Sequence, residues 1–269
     1  MTRLAVIGAG VMGEALVSGL LRARWSPDDI VVADRREFRR AEMTAAHAVG
    51  TAEHNADAAA DADTVILVVK PQDVAAVLPE IAPVLRPGTL VVSLCAGVTT
   101  KALESHLPAG TPVVRVMPNT PALVSEGMAA VSGGSSASEA DVAHALELMT
   151  ALGKAITVPE GYQDAVTAIS GSGPAYLFFV VEAMIDAGVM LGLPRDIATT
   201  LVNQTMFGSA KLLIESGQHP TVLREQVTSP GGTTAAALRQ LEDHRVKAAF
   251  ITAMEAARDR SRALAGPAG

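Results

Sequence analysis

The chain has 269 residues, of which 49% are hydrophobic, 3% aromatic and 18% charged. That is enough for one large domain or two modest ones without a disulfide or metal staple, and too apolar for a disordered chain. The net charge of −7 excludes a basic nucleic-acid footprint, and the single cysteine, Cys95, excludes a disulfide framework and fits a reducing cytosol.

The first predicted element is the continuous apolar strand Leu4-Ala5-Val6-Ile7, which meets glycine at Gly8, too early for a signal-peptide core. A helix over 11–24 follows. Strands at Ile30-Val31-Val32, 64–69, Leu90-Val91-Val92 and Val113-Val114-Arg115-Val116 alternate with helices over 37–47, 74–85 and 99–106. Pro79 and Pro83 weaken the helix over 74–85. A strand at 128–131, a helix over 139–152 and a strand at 155–158 complete this half. Continuous rather than alternating apolar strands, separated by helices, predict a parallel sheet covered on both faces.

After Pro159-Glu160-Gly161 apolar residues recur at helical spacing almost to the end, with no convincing strand from Gln163 onward. Breaks are expected at Ser170-Gly171-Ser172-Gly173-Pro174, Gly192-Leu193-Pro194, Gly217-Gln218-His219-Pro220 and Ser229-Pro230-Gly231-Gly232, with Pro174 and Pro194 in the first turns of new helices. Residues 266–269 read as a loose tail. The longest apolar run, 175–193, contains Glu182 and Asp186, each costly in a bilayer, so no membrane is expected. Helices apolar on every face belong in an interior, and in so small a domain that interior must include a second subunit. A large monomer–monomer interface beyond residue 161 is therefore expected.

Gly8-Ala9-Gly10-Val11-Met12-Gly13 matches G-x-G-x-x-G and sits between the first strand and the first helix, where a dinucleotide site requires it. Gly8 permits the tight turn, Gly10 the approach of a pyrophosphate, and Gly13 close helix–strand packing. Asp34 lies where an acid can bind a ribose 2′-hydroxyl, whereas Arg35 can pair with the 2′-phosphate of NADP. Arg39 and Arg40 read as a solvated helix start. The loops at Lys70-Pro71 and Cys95-Ala96-Gly97 follow strand ends and should line the same crevice, Cys95 as a small buried residue contributing backbone. The six histidines lack metal-ligand spacing and read as surface or helix-end residues. Thr228-Ser229-Pro230-Gly231-Gly232-Thr233-Thr234 opens a helix whose N-terminus suits a carboxylate, or is an ordinary capped turn. The small residues of 170–174 either admit a ligand or let two helices cross. The fold class is α/β: an N-terminal Rossmann-like, mostly parallel sheet domain (1–161) followed by an all-α dimerisation domain (162–269).

Together with Val69-Lys70-Pro71, Cys95-Ala96-Gly97-Val98-Thr99, Met117-Pro118-Asn119-Thr120-Pro121, Ser170-Gly171-Ser172-Gly173-Pro174-Ala175-Tyr176 and Thr228–Thr234, these motifs make nearly the whole chain resemble the pyrroline-5-carboxylate reductases. The resemblance implies reduction of 1-pyrroline-5-carboxylate to L-proline by NADPH, with NADH as the alternative donor. It also implies an intertwined homodimer, often assembled further into a decamer, in the cytoplasm. It places Ile7, Gly8, Ala9, Gly10, Val11, Met12, Arg35, Asn55, Val69, Lys70, Pro71, Cys95 and Ala96 at cofactor positions, beside Gly13 and Asp34 of the motif reading. Glu160, Gln226 (asparagine in some relatives), Thr233 and Thr234 fall at substrate positions, with Gly231 and Gly232 between them. A cyclic imine can be protonated before hydride arrives, so no strong enzyme acid is obligatory. No lysine stands in the 170–176 stretch or the helix after it, where related β-hydroxyacid dehydrogenases place theirs. Thr234 is accordingly expected to hydrogen-bond the ring nitrogen. A β-hydroxyacid or imine dehydrogenase and a non-catalytic NADP sensor are the competing readings.

Overall fold

The computed structural model describes residues 2–264, so the tail expected at 266–269 lies outside the described residues. Gly173–Glu255 forms one compact unit, and the described residues on either side of it form another.

The first unit runs β1 (Leu4–Ile7), α1 (Val11–Arg22), β2 (Ile30–Ala33), α2 (Glu37–His47), β3 (Gly50–Ala52), α3 (Asn55–Ala59), β4 (Thr64–Leu67), α4 (Val74–Ile81), β5 (Leu90–Ser93) and α5 (Thr100–Glu104), then β6 (Val113–Met117), β7 (Gly127–Gly133), α6 (Glu139–Thr150), β8 (Gly153–Thr157) and the short α7 (Gln163–Val166). The strands form one sheet in the order β3-β2-β1-β4-β5-β6-β7-β8. All neighbours are parallel except β6 and β7. Alternation along each strand divides the core. Leu4, Val6, Val32, Ile66, Val92 and Val114 pack with Leu16, Leu20, Met43 and Leu148 on one face. Ala5, Ile7, Val65, Leu67 and Val91 pack with Ala58, Leu78, Ile81 and Leu103 on the other. Strand order reverses between β1 and β4, and the carboxyl ends of those strands are where such sheets open a crevice.

Two elements go beyond the sequence expectation. β3 is a three-residue edge strand without an apolar run, and α3 is five residues long. The helix expected over 74–85 stops at Ile81 and continues as a 3₁₀ turn, Ala82–Val84. Pro83 has no N–H to extend the α-helical ladder. β4 ends at Leu67, releasing Val68 and Val69 to the loop beside the glycine turn.

The second unit contains α8 (Gly173–Met190), α9 (Arg195–Ser216), α10 (Pro220–Gln226), α11 (Thr233–Asp243) and the first part of α12 (Val246–Leu264), whose residues from Ala256 onward belong with the sheet. The breaks near 192, 217 and 230 occur as expected. At 170–174 the break is a change of helix without an intervening loop: a π turn, Thr167–Gly171, ends at Ser172, and α8 starts at Gly173 with Pro174 in its first turn as expected. Asn119 secures that turn by donating to the Ser170 carbonyl at 3.2 Å and hydroxyl at 3.3 Å. A Cβ at Gly171 would collide with the Met117 methyl, so packing alone requires a small residue there. Pro194 is the N-cap of α9 rather than a first-turn residue, because its ψ of 143° keeps it out of the helix. Gln163 bonds to β7, and Ser261 of α12 donates to Asp164 at 2.7 Å, so residues 162–172 pack with the sheet.

Glu160–Met190 is the one helical stretch among the described residues long and apolar enough to cross a membrane by length and composition. No residue of α8 is buried within the single chain, and Phe178 and Phe179 are 66% and 72% exposed.

Candidate active site

β1 passes to α1 through Gly8, Ala9 and Gly10. Gly8 adopts φ +111°, and a Cβ there would lie 2.6 Å from the Val68 carbonyl oxygen. A Cβ on Gly13 would overlap the Gly8 carbonyl. Gly10 differs, because a Cβ on it would meet nothing within 4 Å. Its bare backbone faces open space at the start of a helix with no side-chain cap. The N–H groups of Gly10, Val11, Met12 and Gly13 find no acceptor among the described residues. This is a cradle that fits an anion, with the positive end of the helix dipole behind it.

Asp34 directly follows β2 and is 7% exposed. It accepts the Ala9 N–H at 2.9 Å together with the backbone N–H, Nε and Nη2 of Arg36. Burial pushes its carboxyl up, but the hydrogen bonds from Arg36 and Ala9 outweigh this and hold it at about 2. With its folded value held below the ordinary aspartate value, Asp34 stabilises the fold fully above pH 4, and that contribution fades as pH falls toward 2. Thermal melts from pH 5 to 2 should therefore show a steeper fall in Tm for the native chain than for Asp34→Asn. Parallel curves would assign the acid lability to other groups.

Arg35, exposed beside Asp34, makes no hydrogen bond or ion pair among the described residues. The expectation that Arg39 and Arg40 are solvated fails. Each side chain is 17% exposed. Arg39 donates to the Ala9 carbonyl at 2.8 Å and Arg40 to the Asp34 carbonyl at 2.7 Å. Both lie in the first turn of α2, which the β2–α2 connection folds back against the glycine turn, so tertiary contact overrides their polar character.

A cleft of about 400 Å³ opens at these strand ends. It gathers Gly8, Gly10, Asp34, Arg35, Asn55, Val69 and Lys70 from the expected cofactor set. The rest of that set is placed around it. Ile7 and Ala9 are fully buried, Val11 is exposed on the helix start, and Met12 and Gly13 turn inward. Pro71 opens a 3₁₀ turn and Ala96 is half-buried. Cys95 is buried with its Sγ 3.3 Å from the Val69 carbonyl, and burial raises its thiol pKa, so it is a packing residue and not a nucleophile. Asp73, Ala76, Val77 and Glu80 also line the cleft. Their spacing of three, one and three residues is one helical face, a signal present in the sequence. Asn55 donates to Glu80 at 2.7 Å within this wall.

Among the described residues no group of His, Cys, Asp and Glu could hold a metal ion. Five histidines stand at or next to helix ends, whereas His144 is half-buried in α6 with Nε2 3.3 Å from the Thr64 hydroxyl.

Glu160 has both oxygens engaged. The Thr100 N–H and hydroxyl donate to them at 2.6 Å each, and the buried Arg115 lies 3.5 Å away.

In the second unit, Gly231 takes φ +69° and Gly232 becomes the N-cap of α11 with no side-chain cap. The ordinary capped turn weighed from sequence is therefore not what forms. The N–H groups of Thr233, Thr234 and Ala235 find no acceptor among the described residues, and neither threonine hydroxyl has a partner. Three open donors and two hydroxyls converge on one helix terminus, a geometry suited to a carboxylate. Gln226, at the end of α10, donates to Gln218 at 3.0 Å.

A mostly parallel sheet, a glycine turn with an open helix N-terminus and a crevice at the point of strand reversal define a dinucleotide-binding enzyme of the Rossmann type with an appended helical unit. Residues 160–264 match the family model described as pyrroline-5-carboxylate reductase dimerisation, and residues 3–97 match one described as NADP oxidoreductase, coenzyme F420-dependent. A pyrroline-5-carboxylate reductase of Corynebacterium melassecola is 45% identical, over 98% of this chain and 99% of its own. One of Pseudomonas aeruginosa is 43% identical, over 99% and 98%. Among solved structures, the pyrroline-5-carboxylate reductase of Coxiella burnetii superposes with a TM-score of 0.92 at 35% identity, and that of Plasmodium falciparum, with NADP bound, with 0.88 at 31%; each pair covers 98% of both chains. The chain belongs to the pyrroline-5-carboxylate reductase family.

Proposed function

We propose that the chain reduces 1-pyrroline-5-carboxylate to L-proline, the last step of proline biosynthesis, with NADPH as the hydride donor. The observation that supports this most is a second anion site, the uncapped start of α11 with its two unpaired threonine hydroxyls. A protein that only bound a dinucleotide would have no use for it. The functional division is 1–161 for cofactor and 162–269 for substrate and dimerisation. The working form is a cytoplasmic homodimer, assembled further into a decamer.

When bound, the dihydronicotinamide supplies a hydride to the imine carbon. Residues Ile7 to Gly13 hold the pyrophosphate over the start of α1, and Arg35 takes the 2′-phosphate. Asn55, Val69, Lys70, Pro71, Cys95 and Ala96 shape the remaining walls. Asp34 acts on the cofactor through the Ala9 peptide, since its lone pairs are already taken. The substrate carboxylate sits on the N–H groups following Gly231 and Gly232, with Thr233 adding a hydroxyl and Gln226 closing the loop from α10. Glu160 lies at the substrate side as a carboxylate held by Thr100. Thr234 accepts the N–H of the protonated ring nitrogen, keeping that nitrogen oriented as the C=N π pair withdraws onto it. Orientation supplies most of the rate, and no side chain need donate a proton during hydride transfer.

The test follows NADPH oxidation with the pyrroline and, separately, with oxo acids. Turnover with the pyrroline alone is expected. Thr234→Ala should lower kcat/KM by about 10–100-fold, the loss of one hydrogen bond to a charged group, at unchanged Tm. Full activity in that variant would remove Thr234 from the mechanism.

A further inference from the structure

We infer that Arg39 is a positioning residue for the dinucleotide: without touching the cofactor, it fixes the peptide between Ala9 and Gly10 so that the first open N–H of the glycine turn points into the cleft. The inference rests on the reading of that turn as the cofactor site, and it deepens it.

Arg39 stands in the first turn of α2, and its side chain is largely buried. Its Nε donates to the Ala9 carbonyl at 2.8 Å and its Nη2 to Glu14 at 2.7 Å, while Nη1 holds Glu42. A trans peptide is planar, with its C=O and N–H on opposite sides. Holding the Ala9 oxygen toward α2 therefore sends the Gly10 N–H the other way, and Gly10 lines the cleft with open space where a Cβ would stand. The neighbouring peptide is gripped as well, because the Ala9 N–H is bonded to Asp34. Asp34 is in turn held by Arg36 through its side chain and by Arg40 through its carbonyl. Both polar backbone groups of Ala9 are thus claimed by side chains from one short stretch, 34–39. Glycines flank Ala9 on both sides, so the turn has little rigidity of its own. Left free, the peptide could rotate and present its carbonyl oxygen to an incoming phosphate.

The same guanidinium addresses a second difficulty. Glu14 lies in the first turn of α1, one residue beyond the glycine motif, where an anion would repel a pyrophosphate. The Arg39 hydrogen bond keeps Glu14 charged but compensated, its pKa lowered chiefly by that bond. His47 lies on the far side of Glu14, with Nε2 3.5 Å from Oε1.

NADPH and NADH share the pyrophosphate and differ only at the 2′-position. A residue acting through the Ala9 peptide must affect both equally, whereas one touching the 2′-phosphate affects NADPH alone. The experiment titrates NADPH and NADH fluorescence against the full-length native chain, Arg39→Met, Arg39→Lys and Arg35→Ala, with Tm, kcat and cofactor KM measured alongside. Arg39→Met should weaken both cofactors by the same factor, about tenfold or more, with kcat at saturating cofactor within about twofold of native. Arg39→Lys should recover only part of this, since one ammonium cannot serve the Ala9 oxygen, Glu14 and Glu42 in the same geometry. Arg35→Ala should weaken NADPH alone. Native affinity in Arg39→Met, or a lowered Tm with both affinities unchanged, overturns the inference. So does selective loss of NADPH binding, which would make Arg39 a direct phosphate ligand. If Arg39→Met does not fold, the same comparison of the two cofactors is read from Arg39→Lys. A native chain that binds neither nucleotide refutes the cofactor site itself, a result distinct from any failure confined to Arg39.

Discussion

The double variant Phe178→Glu, Phe179→Glu should sediment as a monomer at micromolar concentration and lose nearly all activity, while its circular dichroism remains helical. The two rings are adjacent on α8 and therefore point to different sides of it, and both are exposed in the single chain. Such exposure of large apolar side chains is what an interface looks like before its partner is added. The family's dimerisation segment spans this helix. Burying one phenylalanine stabilises association by roughly 2–3 kcal/mol. Burying an unpaired carboxylate in its place costs several kcal/mol more. The combined change, at least about 6 kcal/mol, weakens a dimer by roughly four powers of ten. Because neither side chain is packed in the single chain, the fold of the monomer should tolerate both. A variant that still sediments as a dimer would place the interface elsewhere on the helical unit.

Gly13→Ala and Gly10→Ala should separate folding from cofactor binding within one turn. At Gly13 the added methyl overlaps the Gly8 carbonyl, so α1 must move off β1 and disturb the packing of Leu16 and Leu20. Overpacking of this kind costs about 1–3 kcal/mol, and Tm falls by several degrees. NADPH affinity should fall at least about 100-fold, because the donors at the helix start are displaced together. At Gly10 the methyl meets no protein atom and the backbone angles suit alanine, so Tm should stay within about a degree of native. Affinity for NADPH should nevertheless collapse, because the methyl occupies space that the pyrophosphate needs. Equal losses of Tm in the two variants would show that Gly10 serves packing and not the ligand.

Much of the fold is legible in the residues alone. Seven of the eight strands are anticipated: six because strands buried on both faces are largely apolar runs, and β8, mostly exposed at the sheet edge, from its short Ala-Ile stretch. β3 escaped because an edge strand of Gly-Thr-Ala needs no such run. Spacing and motif single out the glycine turn, Arg35, Lys70 and the threonine loop, and the structure sets Gly8, Gly10, Arg35 and Lys70 around one cleft. The Asp73, Ala76, Val77 and Glu80 face was within reach, since its spacing is helical. The break expected at 170–174 is present as a change of helix, with Pro174 opening α8, but no loop intervenes. Here the Asn119 side chain satisfies a carbonyl in the π turn, and Met117 fills the space a larger residue would need.

Composition, periodicity and the glycine motif determined that this chain has a sheet half and a helical half and that a turn of dinucleotide-binding pattern joins β1 to α1, and they point to a partner for the apolar helices. Those properties are local or additive, so they can be read along one dimension. Only the tertiary structure decided what Asp34, Arg36, Arg39 and Arg40 do. Their roles depend on how the start of α2 folds back against the glycine turn some 25 to 30 positions earlier. In sequence these are four charged residues at a helix start. In space they form a brace around Ala9, because a charge brought out of water must find its partner wherever the fold has placed one.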